Sequence, residues 1–145
     1  MPVIEFLYTG FSQPPSPPYP QGTVAYRPFA IATITASTGR HQRCFVCLDT
    51  GADSCVFPLS FAKLLGLDIL SMPKQMTGGV GSVANSTYYA DLTIDLGRGI
   101  QFRSQVGFLD GLEAQGIGLL GQNGFFEYYN VAFYHKQKKF TIETT

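Results

Sequence analysis

The apolar positions of this chain fall in short runs separated by glycine, proline and polar residues, and few stretches carry the longer period of a helix. Val3 to Tyr8, Ala30 to Ala36, Gln42 to Leu48, Thr87 to Leu96, Val131 to Tyr134 and Phe140 to Ile142 read as strands, bounded by turn residues. Leu59 to Gly66 suggests a helix that ends at its glycine, and a second turn of helix is expected from Gly124 to about Tyr129, capped by Asn123. With sixteen glycines and so little helical period, the chain is expected to be all-β with one or two short helices.

One stretch breaks this pattern: Cys44-Phe-Val-Cys-Leu-Asp49-Thr50-Gly51-Ala52-Asp53. The apolar run from Cys44 to Leu48 has the length and character of a strand buried on both faces, and the Thr-Gly-Ala-Asp after it is turn chemistry. Asp49 therefore stands where a core strand ends. Thr50 can hydrogen-bond locally through its hydroxyl, and Gly51 permits backbone angles or close approaches that a side chain would block. Such a turn can hold a carboxylate rigidly. An aspartate after a strand is also the ordinary start of a turn, so the remaining segments decide its meaning.

Three of them bear on it. Met76-Thr-Gly78-Gly79-Val80-Gly81-Ser82 precedes the strand-like Tyr88 to Leu96, which makes it the glycine-rich tip of a hairpin whose N–H groups can approach a ligand closely. A phosphate-binding loop would carry a lysine and open into a helix, and this one leads into a strand. Gly116-Ile-Gly-Leu119-Leu120-Gly121-Gln122-Asn123-Gly124 is a short apolar run closed by glycine. Pro20-Gln-Gly-Thr-Val-Ala-Tyr-Arg27-Pro28 leads into the first long strand pair.

In this order, from about Pro20 to Glu143, the segments resemble the retropepsin-like aspartic proteases. The resemblance implies an acid-protease half-barrel that works as a two-fold homodimer on a peptide or protein substrate. It implies that Asp49, Thr50 and Gly51 form the catalytic turn and that Leu119-Leu120-Gly121 crosses beside it. Ala52 and Asp53 would contact the substrate backbone, and Gly78, Gly79, Val80 and Gly81 would form a flap that closes over it. Two features depart from the family. Gln122 stands where viral members have an arginine that pairs with the acid equivalent to Asp53. Residues 1–19 have no counterpart in the minimal viral fold, so the chain divides into an N-terminal strand with a Pro-rich connector (1–19) and a protease domain (20–145). Gln13-Pro-Pro-Ser-Pro-Pro-Tyr-Pro20 is expected to be extended, with a proline-rich ligand for another protein as the alternative.

Composition narrows the picture. At 145 residues and 45% apolar content the chain has material for one core, and no apolar stretch reaches the length of a membrane span. Ten basic residues balance ten acidic ones, which gives no reason to expect a nucleic-acid partner. Lys136, Lys138 and Lys139 mark a solvated hairpin loop. No secretory leader is visible, and three cysteines, an odd number, agree with a reducing, cytoplasmic setting. Cys44 and Cys47 form a C-x-x-C, but on a strand they point to opposite faces, which is wrong for a metal or a redox pair. No metal or cofactor is expected.

Peptide hydrolysis of this kind needs two carboxylates, and the chain supplies one qualifying turn. A lone solvated aspartate with a pKa near ~4 is almost wholly ionised at neutral pH and has no proton to give. Two carboxylates ~3 Å apart share a proton, so one accepts from water while the other donates to the carbonyl oxygen. Asp68, Asp91, Asp95 and Asp110 do not precede Thr-Gly or Ser-Gly after a buried run. The second acid is therefore expected to be Asp49 of another copy. The alternative is a dimeric peptide-binding or assembly module on the same fold that does not cut. Val80, Phe108, Leu109 and Ile117 are apolar candidates for the groove.

Overall fold

A computed structural model describes residues 2–78 and 84–144. The strands are β1 (Val3–Leu7), β2 (Thr9–Gln13), β3 (Thr23–Arg27), β4 (Phe29–Ala36), β5 (His41–Leu48), β6 (Val56–Pro58), β7 (Lys74–Gly78), β8 (Ala84–Gly97), β9 (Ile100–Leu109), β10 (Gly118–Leu120), β11 (Asn130–Tyr134) and β12 (Lys139–Glu143). Among the described residues one α-helix, α1 (Leu59–Leu64), and three single turns of 3-10 helix complete them. The fold is mostly β, as the hydrophobic pattern predicts.

Seven strands form one sheet in the order β4-β5-β10-β6-β9-β8-β7, and a further pairing of β4 with β8 closes it into a barrel. Ile34, Val46, Ile94, Val106, Phe108 and Leu120 are fully buried inside it. Barrel closure satisfies the backbone groups that an open edge would leave unpaired. Phe108 is therefore a core residue, not a lining of the groove as its apolar character suggested; its neighbour Leu109 does line the groove.

The strand before Asp49 is buried on one face only. Val46 and Leu48 point into the barrel, whereas Phe45 is 42% exposed and Ile31 opposite it 49% exposed. The apolar run fitted burial on both faces because Cys44, Phe45 and Cys47 are apolar as well. Part of that outer face is covered by an aromatic contact, Phe11 lying 5.0 Å edge-on from Phe29.

The N-terminal region also differs from expectation. β2 and β3 pair antiparallel from Thr9↔Arg27 to Gln13↔Thr23, so the proline run is the loop of a hairpin that crosses residues 19 and 20, not an extended connector. Ser16 and Tyr19 exchange backbone hydrogen bonds across Pro17-Pro18 at 3.0 and 2.9 Å, which uses the donors a polyproline ligand would leave free. β1 pairs with β12 within the same chain, giving a separate sheet β1-β12-β11.

α1 ends as the sequence indicates. Gly66 adopts φ +72°, its N–H bonds Lys63 O at 3.0 Å, and Leu67 N–H bonds Ala62 O at 2.9 Å, the paired closure that glycine permits. The helix expected after Asn123 is absent. Gly124 turns at φ +100°, and the N–H groups of Phe126 and Glu127 reach five residues back, to Gly121 and Gln122, which makes a series of wide turns. Glu127 supplies the side-chain acceptor there, Oε1 receiving the Gly124 N–H at 2.7 Å.

Candidate active site

Asp49 follows the last residue of β5, and three later residues hold its turn. β10 lies parallel to β5, with Leu119 beside Cys47 and Leu120 beside Leu48, and antiparallel to β6 at Val56. The Asp49 turn thus joins two strands that flank a third arriving about seventy residues later. Leu120 O accepts the Asp49 N–H at 2.9 Å, Ala52 O accepts the Gln122 N–H at 2.9 Å, and Asp53 O accepts the Asn123 N–H at 2.9 Å. Gly121 passes beneath this backbone: a Cβ there would lie 2.4 Å from Ser54 O and 2.7 Å from Ala52 O. The sequence marked Leu-Leu-Gly as adjacent, and this close approach is why the third residue is glycine.

Within the turn, Asp49 Oδ1 accepts the Gly51 N–H at 2.9 Å and Asp49 O accepts the Ala52 N–H at 3.1 Å. A side chain at 51 would bring a carbon 3.2 Å from Oδ1, so glycine leaves that oxygen room. Asp49 is half-buried, while Thr50, Gly51 and Asp53 are exposed and Ala52 is half-buried. Gln122 does not turn to Asp53. Its Nε2 donates to Thr50 O at 2.9 Å, so the amide braces the turn, and the Asp53 carboxylate has no ion-pair partner among the described residues. Sequence reasoning missed this role for Gln122 because it depends on a contact across 72 residues.

The flap hairpin is present at its base. β7 and β8 pair antiparallel from Lys74↔Tyr88 to Gly78↔Ala84. Gly78 ends β7; Gly79, Val80 and Gly81 lie outside the described residues. A groove of about 930 Å³ opens beside the turn, lined by Asp53, Val56 and Leu119 on one side and by Gln75, Thr87 and Tyr89 from the foot of the hairpin on another.

The thiols are poor nucleophiles. Burial pushes Cys44 up to about 12, and burial, then the negative charge of Asp49, pushes Cys47 up to about 11 against an opposing pull from Arg27. Both stay protonated at neutral pH, where only a thiolate would attack or ligate. All three cysteines are free, and among the described residues no cluster of three or more His, Cys, Asp or Glu side chains could hold a metal ion. Among those residues no helix is long and apolar enough to cross a membrane.

The barrel, the braced Asp-Thr-Gly turn and the hairpin whose base lines the groove fit the aspartic-protease fold. The sequence profile described as aspartyl protease matches residues 33–123, and the chain belongs to that family. Its fold is retropepsin-like: the crystal structure of a retropepsin-like aspartic protease from Rickettsia conorii superposes with a TM-score of 0.58 over 97% of this chain and 91% of that one, at 17% identity. The EIAV protease complexed with the inhibitor HBY-793 aligns with 66% of this chain and 82% of its own at 24% identity and a TM-score of 0.44. No match was found among curated proteins.

Proposed function

We propose that this chain is an aspartic endopeptidase whose active unit is a homodimer, with the two Asp49 carboxylates sharing a proton and a water across the two-fold axis. The observation that carries this reading is the braced turn: Asp49 is half-buried, Oδ1 is engaged by Gly51, and Oδ2 has no hydrogen-bond partner among the described residues. One carboxylate at such a turn is half a catalyst, and a second copy completes it by symmetry. One acid then takes a proton from the water, the other donates to the scissile carbonyl oxygen, and the water oxygen bonds to the carbonyl carbon. The tetrahedral intermediate collapses with protonation of the leaving nitrogen, and no covalent enzyme intermediate forms.

Thr50 braces the paired turns in this scheme, Gly51, Ala52 and Asp53 contact substrate backbone, and Gly78 to Gly81 close over the peptide and exclude bulk water. Residues 20–145 act as the protease domain, with the strand and hairpin arm of 1–19 appended, and three free thiols suit a reducing, cytoplasmic setting. Asp49→Asn is expected to abolish peptide cleavage while sedimentation equilibrium still reports a dimer. Cleavage by the purified variant, or a wild-type protein that stays monomeric with a statine-type ligand bound, refutes the mechanism. A ligand-binding dimer that cuts nothing between acid and neutral pH is instead the non-catalytic module.

A further inference from the structure

The Asp49 turn has one degree of freedom that its own sequence leaves open. Ala52 N–H bonds Asp49 O at 3.1 Å, so Asp49 to Ala52 is a four-residue turn with Thr50 and Gly51 at its centre. The two common forms of such a turn differ by a half rotation of the central peptide, and the rotated form needs a positive φ at the third residue. Glycine takes that angle freely. Gly51 has no positive φ, so the structure holds the unrotated form although the sequence permits both.

That central peptide is bonded on both sides. Its N–H, from Gly51, donates to Asp49 Oδ1 at 2.9 Å. Its carbonyl, Thr50 O, accepts from Gln122 Nε2 at 2.9 Å. Rotation would break both bonds and turn a carbonyl oxygen toward the carboxylate. A bond accepted by a carbonyl also polarises the N–H of the same peptide, which strengthens its donation onward. Gln122 is itself anchored: its N–H bonds Ala52 O at 2.9 Å, and its O accepts the Glu127 N–H at 3.0 Å. One residue just past β10 thus holds the turn on either side of Gly51.

We propose that Gln122 is a positioning residue: through the Thr50–Gly51 peptide it fixes the direction in which Asp49 presents its carboxylate. Gly51 makes the rotation cheap, and the distant amide takes that freedom away. Gln122 does not act on the substrate. Its effect on turnover rests on the peptidase reading, whereas its effect on the turn does not.

The test replaces the amide with a side chain of similar length that cannot donate, Gln122→Met, in the full chain. Exchange of the Gly51 amide proton with water, read by NMR, is expected to quicken about fivefold, the worth of one hydrogen bond. Gly97 is the internal control: its N–H bonds Asp95 Oδ1 at 2.7 Å, again two residues back, and its rate should not move. On a cleavable peptide kcat is expected to fall about fivefold with KM within about twofold, because the groove keeps its side chains. Unchanged Gly51 exchange overturns the proposal whether or not the protein cuts. Equal quickening at Gly97 reports general loosening and overturns it as well. Faster Gly51 exchange with wild-type kcat, or with a rise in KM alone, overturns the positioning role. Faster exchange at Gly51 alone, in a protein whose wild type cuts nothing, upholds the hold on the turn and overturns the peptidase reading.

Discussion

Replacing Gly121 with alanine tests whether the crossing strand truly holds the Asp49 turn. The glycine has no left-handed backbone angle to lose, so the effect is steric. The new Cβ would lie 2.4 Å from Ser54 O and 2.7 Å from Ala52 O. Non-bonded heavy atoms prefer about 3.5 Å, so one backbone must retreat by about 1 Å. That movement breaks or lengthens the bonds from Gln122 N–H to Ala52 O and from Asn123 N–H to Asp53 O, each now 2.9 Å. Two such bonds are worth roughly 2 kcal/mol together, and overpacking adds about 2 kcal/mol. Alanine's smaller unfolded-state entropy returns about 0.7 kcal/mol, leaving a net loss of about 3 kcal/mol. With a urea slope near 2 kcal/mol/M, the unfolding midpoint should fall by about 1.5 M. Gly111→Ala is the control: its Cβ would meet Leu109 Cδ1 at 3.4 Å, an ordinary contact, and the midpoint should stay within about 0.3 M. Below the transition, where the variant remains folded, a 1 Å displacement of the turn should lower peptide cleavage about 100-fold. Wild-type midpoint and wild-type cleavage in Gly121→Ala would refute the argument.

Two further outcomes follow from contacts elsewhere. Glu113 binds the start of α1 from 53 residues away, Oε1 accepting the Ser60 N–H at 2.6 Å and Oε2 the Ser60 hydroxyl at 2.8 Å. Glu113→Ala should therefore cost about 1 kcal/mol in urea unfolding, with Glu113→Gln closer to wild type. Cys44 and Cys47 should be slow to react with a disulfide reagent at pH 8, and their reactivity in the folded protein should rise only towards pH 11–12, against about 9 after unfolding. Because folding raises both values, the stability they carry is complete below about pH 9 and declines as pH rises through 11–12; a stability that increases over that range would contradict their burial.

Much of the site was legible because its signals are local. The apolar run into Asp49, the glycine at 51, the hairpin pairing of β7 with β8 and the glycine that closes α1 each depend on a few neighbouring residues. What escaped depends on distant ones. Thr9-Gly-Phe-Ser-Gln13 has a weak strand pattern and becomes a strand because β3 pairs with it across the prolines. Phe45 looks like core until β5 is seen to have one face outside the barrel. The stretch after Asn123 has the aromatic content of a short helix, but Gly124 leaves the helical region, and Ser104 Oγ would lie 2.1 Å from any Cβ at that position. Gln122 and Glu113 act on backbone 72 and 53 positions earlier, which no local pattern records.

The same long reach sets an order of events at the ribosome. Translation at 5–20 residues per second separates Thr50 from Gln122 by roughly 4–14 s. Throughout that interval the aspartate loop lacks the strand that fixes it, since Leu120, Gln122 and Asn123 have not yet been made. A nascent chain therefore carries an unbraced Asp49 turn while it emerges, and the loop acquires its shape only after most of the barrel is available to fold.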